Sequence, residues 1–403
     1  MKTIPYRPHP AQKEFHQSKA RFRTLICGRR WGKSLAAANE AIMAGLRKPN
    51  AHIWLVAPSY PLTQTLWRTV VKYMPREAVL HMHNAQKSIE LKNGTYIEAR
   101  SADNPLSLVS VGLDLVIIDE AARVDGRVAW YQSLSPALGD KQGRAIFITT
   151  PLAFNWVYDI YMLGLSGVDP DWQSFRFPTS TNPFFPAIEL EKQKQLLPDR
   201  IYRQEFLAEF ISDSGAVFNN IEACVKGSLE APQQYHNYIL SVDVARYEDF
   251  TVLGVMDTAS GHVVAFERFG KLDFNSQKIR ITNLATKYHA KTYIDSTAMG
   301  LPILEDLRHT GLNVEGITIQ TLSKANLIDA LSLALEQEKI SYPKIDVLVE
   351  ELRAFEYQTS PTGHLKSGAP KGKHDDCVIM LAMLVYGLNR SNMRVKTFNY
   401  YSG

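Results

Sequence analysis

Leu25-Ile26-Cys27-Gly28-Arg29-Arg30-Trp31-Gly32-Lys33-Ser34 decides the fold: an apolar run predicts a strand that turns sharply and opens a helix at Gly-Lys-Ser. A turn of this kind leaves backbone N–H groups unpaired at a helix N-terminus, where the dipole attracts a polyphosphate. Gly28, Arg30 and Gly32 lie in the turn. Lys33 is placed to reach outer phosphates, and the Ser34 hydroxyl suits a phosphate-associated Mg²⁺. The chain departs from the pattern G-x-x-x-x-G-K-[ST] at its first glycine, where Cys27 stands.

A second stretch raises the specificity of the first. Leu115-Val116-Ile117-Ile118-Asp119-Glu120 is an apolar strand ending in two carboxylates. Asp119 is placed to hold Mg²⁺ and Glu120 to orient or deprotonate an attacking water. Further apolar runs at His52 to Ala57, Tyr96 to Arg100 and Ala145 to Thr150 are spaced for alternating strands and helices. They predict a mainly parallel sheet covered on both faces, with the nucleotide at the carboxyl ends of its strands. Thr149-Thr150-Pro151 closes the last run; Thr150 is either a sensor of the γ-phosphate or a strand cap before proline. Upstream, Pro10 suits a first helical turn. Gln12 on that helix can pair with an adenine edge or stand as a solvated residue.

The bulk numbers bound the class. At 403 residues the chain exceeds what one core usually serves, so two domains are expected. Its 45% hydrophobic and 21% charged residues are those of a globular protein, and a net charge of +4 allows a nucleic-acid partner without demanding one. Three scattered cysteines exclude a disulfide framework or a zinc cluster and fit a reducing cytoplasm. No run of 18 apolar residues and no signal-peptide pattern is present, so neither secretion nor membrane spanning is expected.

From Pro178 the texture changes to Thr179-Ser180-Thr181-Asn182-Pro183 and then to charged helical sequence, read as a helical lid or linker at 179–212. A junction at 213–237 follows. Tyr238 to Asp243, Thr251 to Met256 and His262 to Phe269 predict an antiparallel three-strand meander. Thr292 to Asp295 and Val314 to Ile319 add two strands, and Leu327, Leu331, Ala334 and Leu335 mark one face of a helix. Gly372-Lys373-His374-Asp375-Asp376 follows a loop-like Pro361 to Lys371 and opens an apolar helix.

Asp375 and Asp376 can simply cap that helix, and Asp243 or Asp295 alone is an ordinary acid at a strand end. Together these acids can converge on two divalent cations that activate water and stabilise the leaving oxygen of a phosphodiester, with Mg²⁺ or Mn²⁺ suited to the hard oxygens. That arrangement describes a ribonuclease-H-like nuclease.

In this order the motifs resemble, over nearly the whole chain, the large terminase subunit of tailed double-stranded DNA bacteriophages. The resemblance implies an α/β protein: a P-loop ATPase domain at 1–178, the lid, the junction, a ribonuclease-H-like nuclease domain at 238–395 and a tail at 396–403. It implies a motor that uses ATP to package double-stranded DNA into a procapsid and cuts the concatemer. Implied partners are a portal protein, a small terminase subunit and further copies in a ring, pentameric by analogy, in the host cytoplasm.

Residue by residue, Gln12 resembles the adenine-recognition glutamine, Lys33 and Ser34 the phosphate-loop pair, and Asp119 and Glu120 the Mg²⁺ ligand and catalytic carboxylate. Arg29 resembles an arginine that approaches the γ-phosphate. Arg100, Arg123 and Arg127 are unseparated candidates for an arginine acting in trans. Asp243, Asp295 and Asp375 match the metal-binding acids, with Asp376 beside them. Ile379 stands where the family often has another acid. Lys324 resembles a lysine near the nuclease site and equally reads as an exposed side chain. Lys366, Lys371 and Lys373 form a basic stretch suited to DNA phosphates. Two other readings stay open: a helicase or repair ATPase fused to a nuclease, and an ATP-switched assembly protein with a degenerate nuclease centre.

Overall fold

The computed structural model describes residues 6–104, 108–109, 111–211, 215–244, 250–270, 272–296, 300–319, 324–359 and 365–398. By contacts the chain divides into one unit of Met1–Gln195 with Asp199–Ser212, and another of Leu196–Pro198 with Asp213–Gly403. Residues 212–214, where the expected lid meets the expected junction, and the last five residues of the tail lie outside the described residues.

The first unit is built on eight strands: β1 Phe22–Cys27, β2 His52–Ala57, β3 Val79–His83, β4 Ser88–Leu91, β5 Tyr96–Ser101, β6 Leu115–Asp119, β7 Arg144–Thr149 and β8 Trp172–Phe177. Their order is β3-β4-β5-β2-β6-β7-β1-β8, parallel throughout except for the β3-β4-β5 edge. Helices α1 Pro10–Gln17, α2 Lys33–Arg47, α3 Thr63–Tyr73, the single turn α4 Ser135–Ala137, α5 Trp156–Ser166, α6 Ala187–Leu196 and α7 Asp199–Glu205 complete it.

Strand alternation sends Leu25 and Cys27 of β1, and Leu115 and Ile117 of β6, into one core with Ala37, Ala41 and Ile42 of α2. Ile26, Val116 and Ile118 enter the opposite core with Val157 and Ile160 of α5. Both faces are therefore dry, which is why the central strands read as continuous apolar runs. Three strands, β3, β4 and β8, lie outside the expected set. The edge strand β3 carries exposed side chains along most of its length, β4 is only four residues long, and β8 sets polar residues among its aromatic ones.

The second unit carries β9 Gly215–Ala216, β10 Tyr238–Asp243, β11 Phe250–Asp257, β12 Val263–Gly270, β13 Lys291–Asp295, β14 Val314–Ile317, β15 Glu356–Thr359 and β16 Leu365–Gly368. Five of them form a sheet in the order β12-β11-β10-β13-β14, in which β10, β11 and β12 are antiparallel and β13 and β14 run parallel to β10. The remaining three make a small sheet, so the stretch expected to be loop-like from Pro361 contains strand β16 paired with β15. Its polar sequence gave no apolar alternation to read.

Helices α8 Phe274–Tyr288 and α9 Gly300–His309 cover one face of the five-stranded sheet, burying Leu240, Val242, Leu253 and Ile294. Helices α10 Lys324–Glu336, α11 Asp346–Ala354 and α12 Asp376–Phe398 cover the other with Ile239, Val252, Met256 and Tyr293. Helix α12 lies so close that a Cβ on Gly254 of β11 would meet Met380 Sδ at 2.2 Å. Among the described residues no helix is long and apolar enough to cross a membrane.

Candidate functional site

In the first unit, the turn after β1 takes two left-handed residues, Arg30 at φ 63° and Gly32 at φ 99°. Gly32 is the N-cap of α2 and offers no side-chain acceptor, so the first amides of α2 are left for a ligand. Lys33 Nζ donates to Thr150 Oγ1 at 3.1 Å and lies 3.5 Å from Glu120 Oε1. Ser34 Oγ donates to Asp119 Oδ2 at 3.4 Å. The start of α2 and the carboxyl ends of β6 and β7 thus bring Lys33, Ser34, Asp119, Glu120 and Thr150 together.

Asp119 is buried, and burial with the neighbouring Glu120 charge raises its pKa to about 6, against the opposing pull of Lys33. A buried acid beside a hydroxyl, short of positive charge, suits the hard oxygen set of a Mg²⁺ carried by a polyphosphate. Glu120 itself is held at φ 49°, a strained backbone position at the strand end. Thr149 Oγ1 accepts from Ala122 N–H at 3.4 Å, tying the end of β7 to the turn that follows Glu120.

The amide of Gln12 is committed in this structure. Its Oε1 accepts from His9 N–H at 3.2 Å, and its Nε2 donates to Gly32 O at 3.2 Å, so it caps α1 and props the phosphate turn. The Arg29 guanidinium is taken up by Glu205 at the end of α7, and its N–H donates to Glu205 O at 2.6 Å. Arg30 is exposed. Arg100 donates to Glu98 on its own strand, Arg123 Nε lies 4.0 Å from Glu120 Oε2, and Arg127 is exposed.

Sequence reasoning missed what grips the turn from behind. Thr179 Oγ1 donates to Arg29 O at 2.7 Å, Asn182 Nδ2 donates to Arg30 O at 2.8 Å, and Trp31 stacks on Phe177 while donating to Thr181 Oγ1 at 2.8 Å. Gly28 has no room for a side chain, because a Cβ would stand 2.3 Å from Thr179 Oγ1 and 2.5 Å from Phe206 O. The Thr-Ser-Thr-Asn stretch was visible as a break in pattern; its contacts with the phosphate turn were not.

In the second unit, β10 and β13 are paired so that Val242 faces Ile294, which puts Asp243 and Asp295 side by side at adjacent strand ends. Alternation aims both toward the face covered by α12, since Ile239 and Tyr293 on the same parity are buried against it. Asp376 starts α12, and its Oδ2 accepts from Phe250 N–H at 3.4 Å. Lys324 Nζ donates to Asp375 Oδ2 at 2.7 Å. Burial and the charges of Asp376, Asp295 and Asp375 hold the Asp243 pKa well above the usual carboxylate range, with Lys324 opposing.

Among the described residues no three acidic, histidine or cysteine side chains are already drawn into a metal cage. The chemistry nonetheless fits one: four hard carboxylates share a small region with one lysine, and their mutual repulsion is what divalent cations relieve. Lys371 and Lys373 are exposed near the start of α12; of the Lys366 side chain nothing is described.

Three residues unmarked in the sequence anchor these acids. Glu351 is buried; its Oε2 accepts from Cys377 N–H at 2.8 Å, and its Oε1 lies 3.5 Å from Arg268. The Arg268 guanidinium stacks 3.6 Å from the centre of the Phe250 ring, and the Phe250 amide in turn holds Asp376. The circuit joins β11, β12, α11 and α12 around the acid-bearing helix start.

A model of the T4likevirus-type terminase large subunit N-terminal region matches residues 25–223, and a terminase RNaseH-like domain model matches residues 240–385. The chain belongs to the large terminase subunit family. It is 29% identical to the terminase large subunit of Thermus virus P23-45, over 94% of this chain and 87% of that one. It is 28% identical to the terminase large subunit of Thermus phage G20c, over the same shares. In fold it is similar to the solved large terminase of another thermophilic bacteriophage, with TM-score 0.57, 14% identity, and 94% and 98% of the two chains covered. The terminase chain is thus an enzyme with an ATPase domain and a ribonuclease-H-like nuclease domain.

Proposed function

We propose that this chain couples ATP hydrolysis in its first unit to the translocation of double-stranded DNA into a procapsid, and cuts concatemeric DNA in its second by two-metal hydrolysis. The observation that carries the reading is the meeting of Lys33, Glu120 and Thr150 at one set of strand ends, with Ser34 and Asp119 beside them.

The amides at the start of α2 and the Lys33 ammonium bind the polyphosphate and neutralise its outer charge. Ser34 and Asp119 are the residues that hold Mg²⁺, which supplies further charge stabilisation at the transferred phosphate. Glu120 orients water and accepts its proton. Thr150, the hydrogen-bond partner of Lys33, reports through β7 whether that lysine is engaged by phosphate. Arg29 and Gln12 are the further nucleotide-facing residues, each reached by giving up a present partner.

In the nuclease unit Asp243, Asp295 and Asp375, with Asp376, are the residues that hold Mg²⁺ or Mn²⁺, which activates water and steadies the leaving oxygen. Lys324 moves from Asp375 to a DNA phosphate, and Lys371 and Lys373 contact the backbone without reading sequence. A portal protein, a small terminase subunit and further copies of the chain in a ring within the host cytoplasm are the partners this role requires.

Steady-state ATPase with nucleotide binding tests the assignment. Glu120→Gln keeps ATP binding and loses turnover, whereas Lys33→Ala loses binding; a Glu120→Gln enzyme that turns over at the wild-type rate contradicts it.

A further inference from the structure

The antiparallel edge of the first sheet ends in β3, and among the described residues no strand pairs with its outer side. Proteins blunt such an edge with lysine, proline or a covering element, because its open N–H and C=O groups template another strand. Val79-Leu80-His81-Met82-His83 holds neither lysine nor proline, and Leu80 is 49% and Met82 36% exposed. The register with β4 slips between Val79 and His81, which leaves His81 to His83 as the regular stretch.

A groove of about 330 Å³ lies between α3 and the turn of the β3-β4 hairpin, lined by Gln64, Trp67, Arg68, Val71, Lys72 and Asn84. Met82 stands directly across from Ile89, which is buried in one core with Trp67 of α3, so Met82 projects on the α3 side of the hairpin. Groove and regular edge meet at Asn84, the residue after His83.

A buried lysine fixes this geometry. Lys87, just past the hairpin turn, donates from Nζ to Tyr60 O at 2.8 Å and to Thr63 Oγ1, at the start of α3, at 2.7 Å. The same Nζ sits 3.8 Å from the centre of the Tyr60 ring, and the Tyr60 hydroxyl donates to Ala85 O at 2.9 Å. Burial and the Arg68 charge lower the Lys87 pKa. The hairpin turn and the first turn of α3 are thus locked together before any ligand arrives, which lowers the ordering cost of binding.

The lining has two characters. Trp67 and Val71 give an apolar wall, while Arg68 and Lys72, one turn apart on one face of α3, are exposed. Among the described residues neither cation has a carboxylate within ion-pair distance, and no lining residue is acidic. Duplex DNA asks for phosphate contacts alone; an apolar wall beside a free strand edge suits a peptide.

We infer that β3 and this groove bind an extended peptide of a partner protein by strand addition along His81 to His83, with an apolar side chain on Trp67 and Val71 and flanking acidic side chains on Arg68 and Lys72. Residues two apart on a strand share a face, so an apolar residue with an acid two positions to either side presents all three to the groove. The edge supplies main-chain hydrogen bonds and the groove supplies specificity. The inference goes beyond the packaging and cutting roles and rests on neither.

The test measures fluorescence anisotropy of the full chain with a fluorescein-labelled peptide, Thr-Glu-Thr-Leu-Thr-Glu-Thr. The expected result is saturable binding with Kd below about 1 mM. The rearranged peptide Thr-Thr-Glu-Leu-Glu-Thr-Thr, equal in composition but with its acids on the face away from leucine, binds at least about tenfold more weakly. So does the peptide with lysine in place of both glutamates. Arg68→Gln combined with Lys72→Gln, at exposed positions where folding is not at risk, weakens the first peptide by about tenfold and leaves the binding of a labelled DNA duplex unchanged. No saturation, equal binding of the rearranged peptide, or peptide binding unchanged in the double variant overturns the inference. Duplex binding that falls tenfold in the double variant gives the groove to DNA, and a dimer in sedimentation that the double variant dissociates gives it to a second copy; either overturns the inference.

Discussion

Lys33 Nζ stands 3.1 Å from Thr150 Oγ1, so the lysine that closes the phosphate turn and the hydroxyl that ends β7 are already one unit. Phosphate binding must share or break that bond. Thr150→Val is therefore expected to leave the KM for ATP within a few fold and to lower kcat by about tenfold, a loss of about 1.4 kcal/mol in the transition state. If both constants stay at wild-type values, Thr150 serves only as a strand cap.

Asp119 makes a stability prediction. Its pKa in the folded chain is raised to about 6 from 3.8, so ionised Asp119 is a penalty that is absent below pH 4 and complete above pH 6. Asp119→Asn is expected to stabilise the ligand-free protein at pH 8, by at most about 3 kcal/mol from a shift of this size. The gain shrinks as pH falls toward 4, and Mg²⁺ with ATP reverses the order because only the wild type gains. Thermal melts across pH, with and without Mg²⁺ and ATP, check this; a destabilised Asp119→Asn at pH 8 contradicts it.

Arg29 and Glu205 form a pair in which the arginine is 60% exposed and the glutamate 15%. An ion pair so open to water is worth roughly 0–1 kcal/mol. Glu205→Ala should barely move the melting temperature, yet free Arg29 for the nucleotide and shift the KM for ATP severalfold. A large drop in melting temperature with an unchanged KM marks the pair as structural.

Glu351 is expected to act on the nuclease through α12. Glu351→Gln keeps an acceptor for Cys377 N–H and removes the charge facing Arg268, loosening the Phe250 contact that holds Asp376. The Mn²⁺ concentration for half-maximal cleavage should rise by about tenfold, while the rate at saturating Mn²⁺ stays near wild type. An unchanged metal titration contradicts this.

The legible parts of the fold were those written in local pattern. β1, β2 and β6 are apolar because both faces are covered, and the Gly-Lys-Ser turn and the Asp-Glu strand end follow directly in sequence. β3 escaped notice because its side chains meet water, and β16 because a polar strand in a small sheet carries no period. The long-range partners were not legible at all. Glu205 lies 176 residues from Arg29, Glu351 lies 26 residues before Cys377, and nothing in either local stretch announces the pairing. Gln12 was open between adenine and solvent; the structure gives it a third occupation, bridging the cap of α1 and Gly32.

The most direct measurement of the central claim is cleavage of supercoiled plasmid by the purified chain with Mn²⁺ or Mg²⁺, comparing wild type, Asp295→Ala and Lys33→Ala. The account predicts that wild type and Lys33→Ala cut and Asp295→Ala does not, because ATP and DNA are hydrolysed at separate centres. Cleavage that persists at the wild-type rate in Asp295→Ala, or that vanishes in a folded Lys33→Ala, contradicts it.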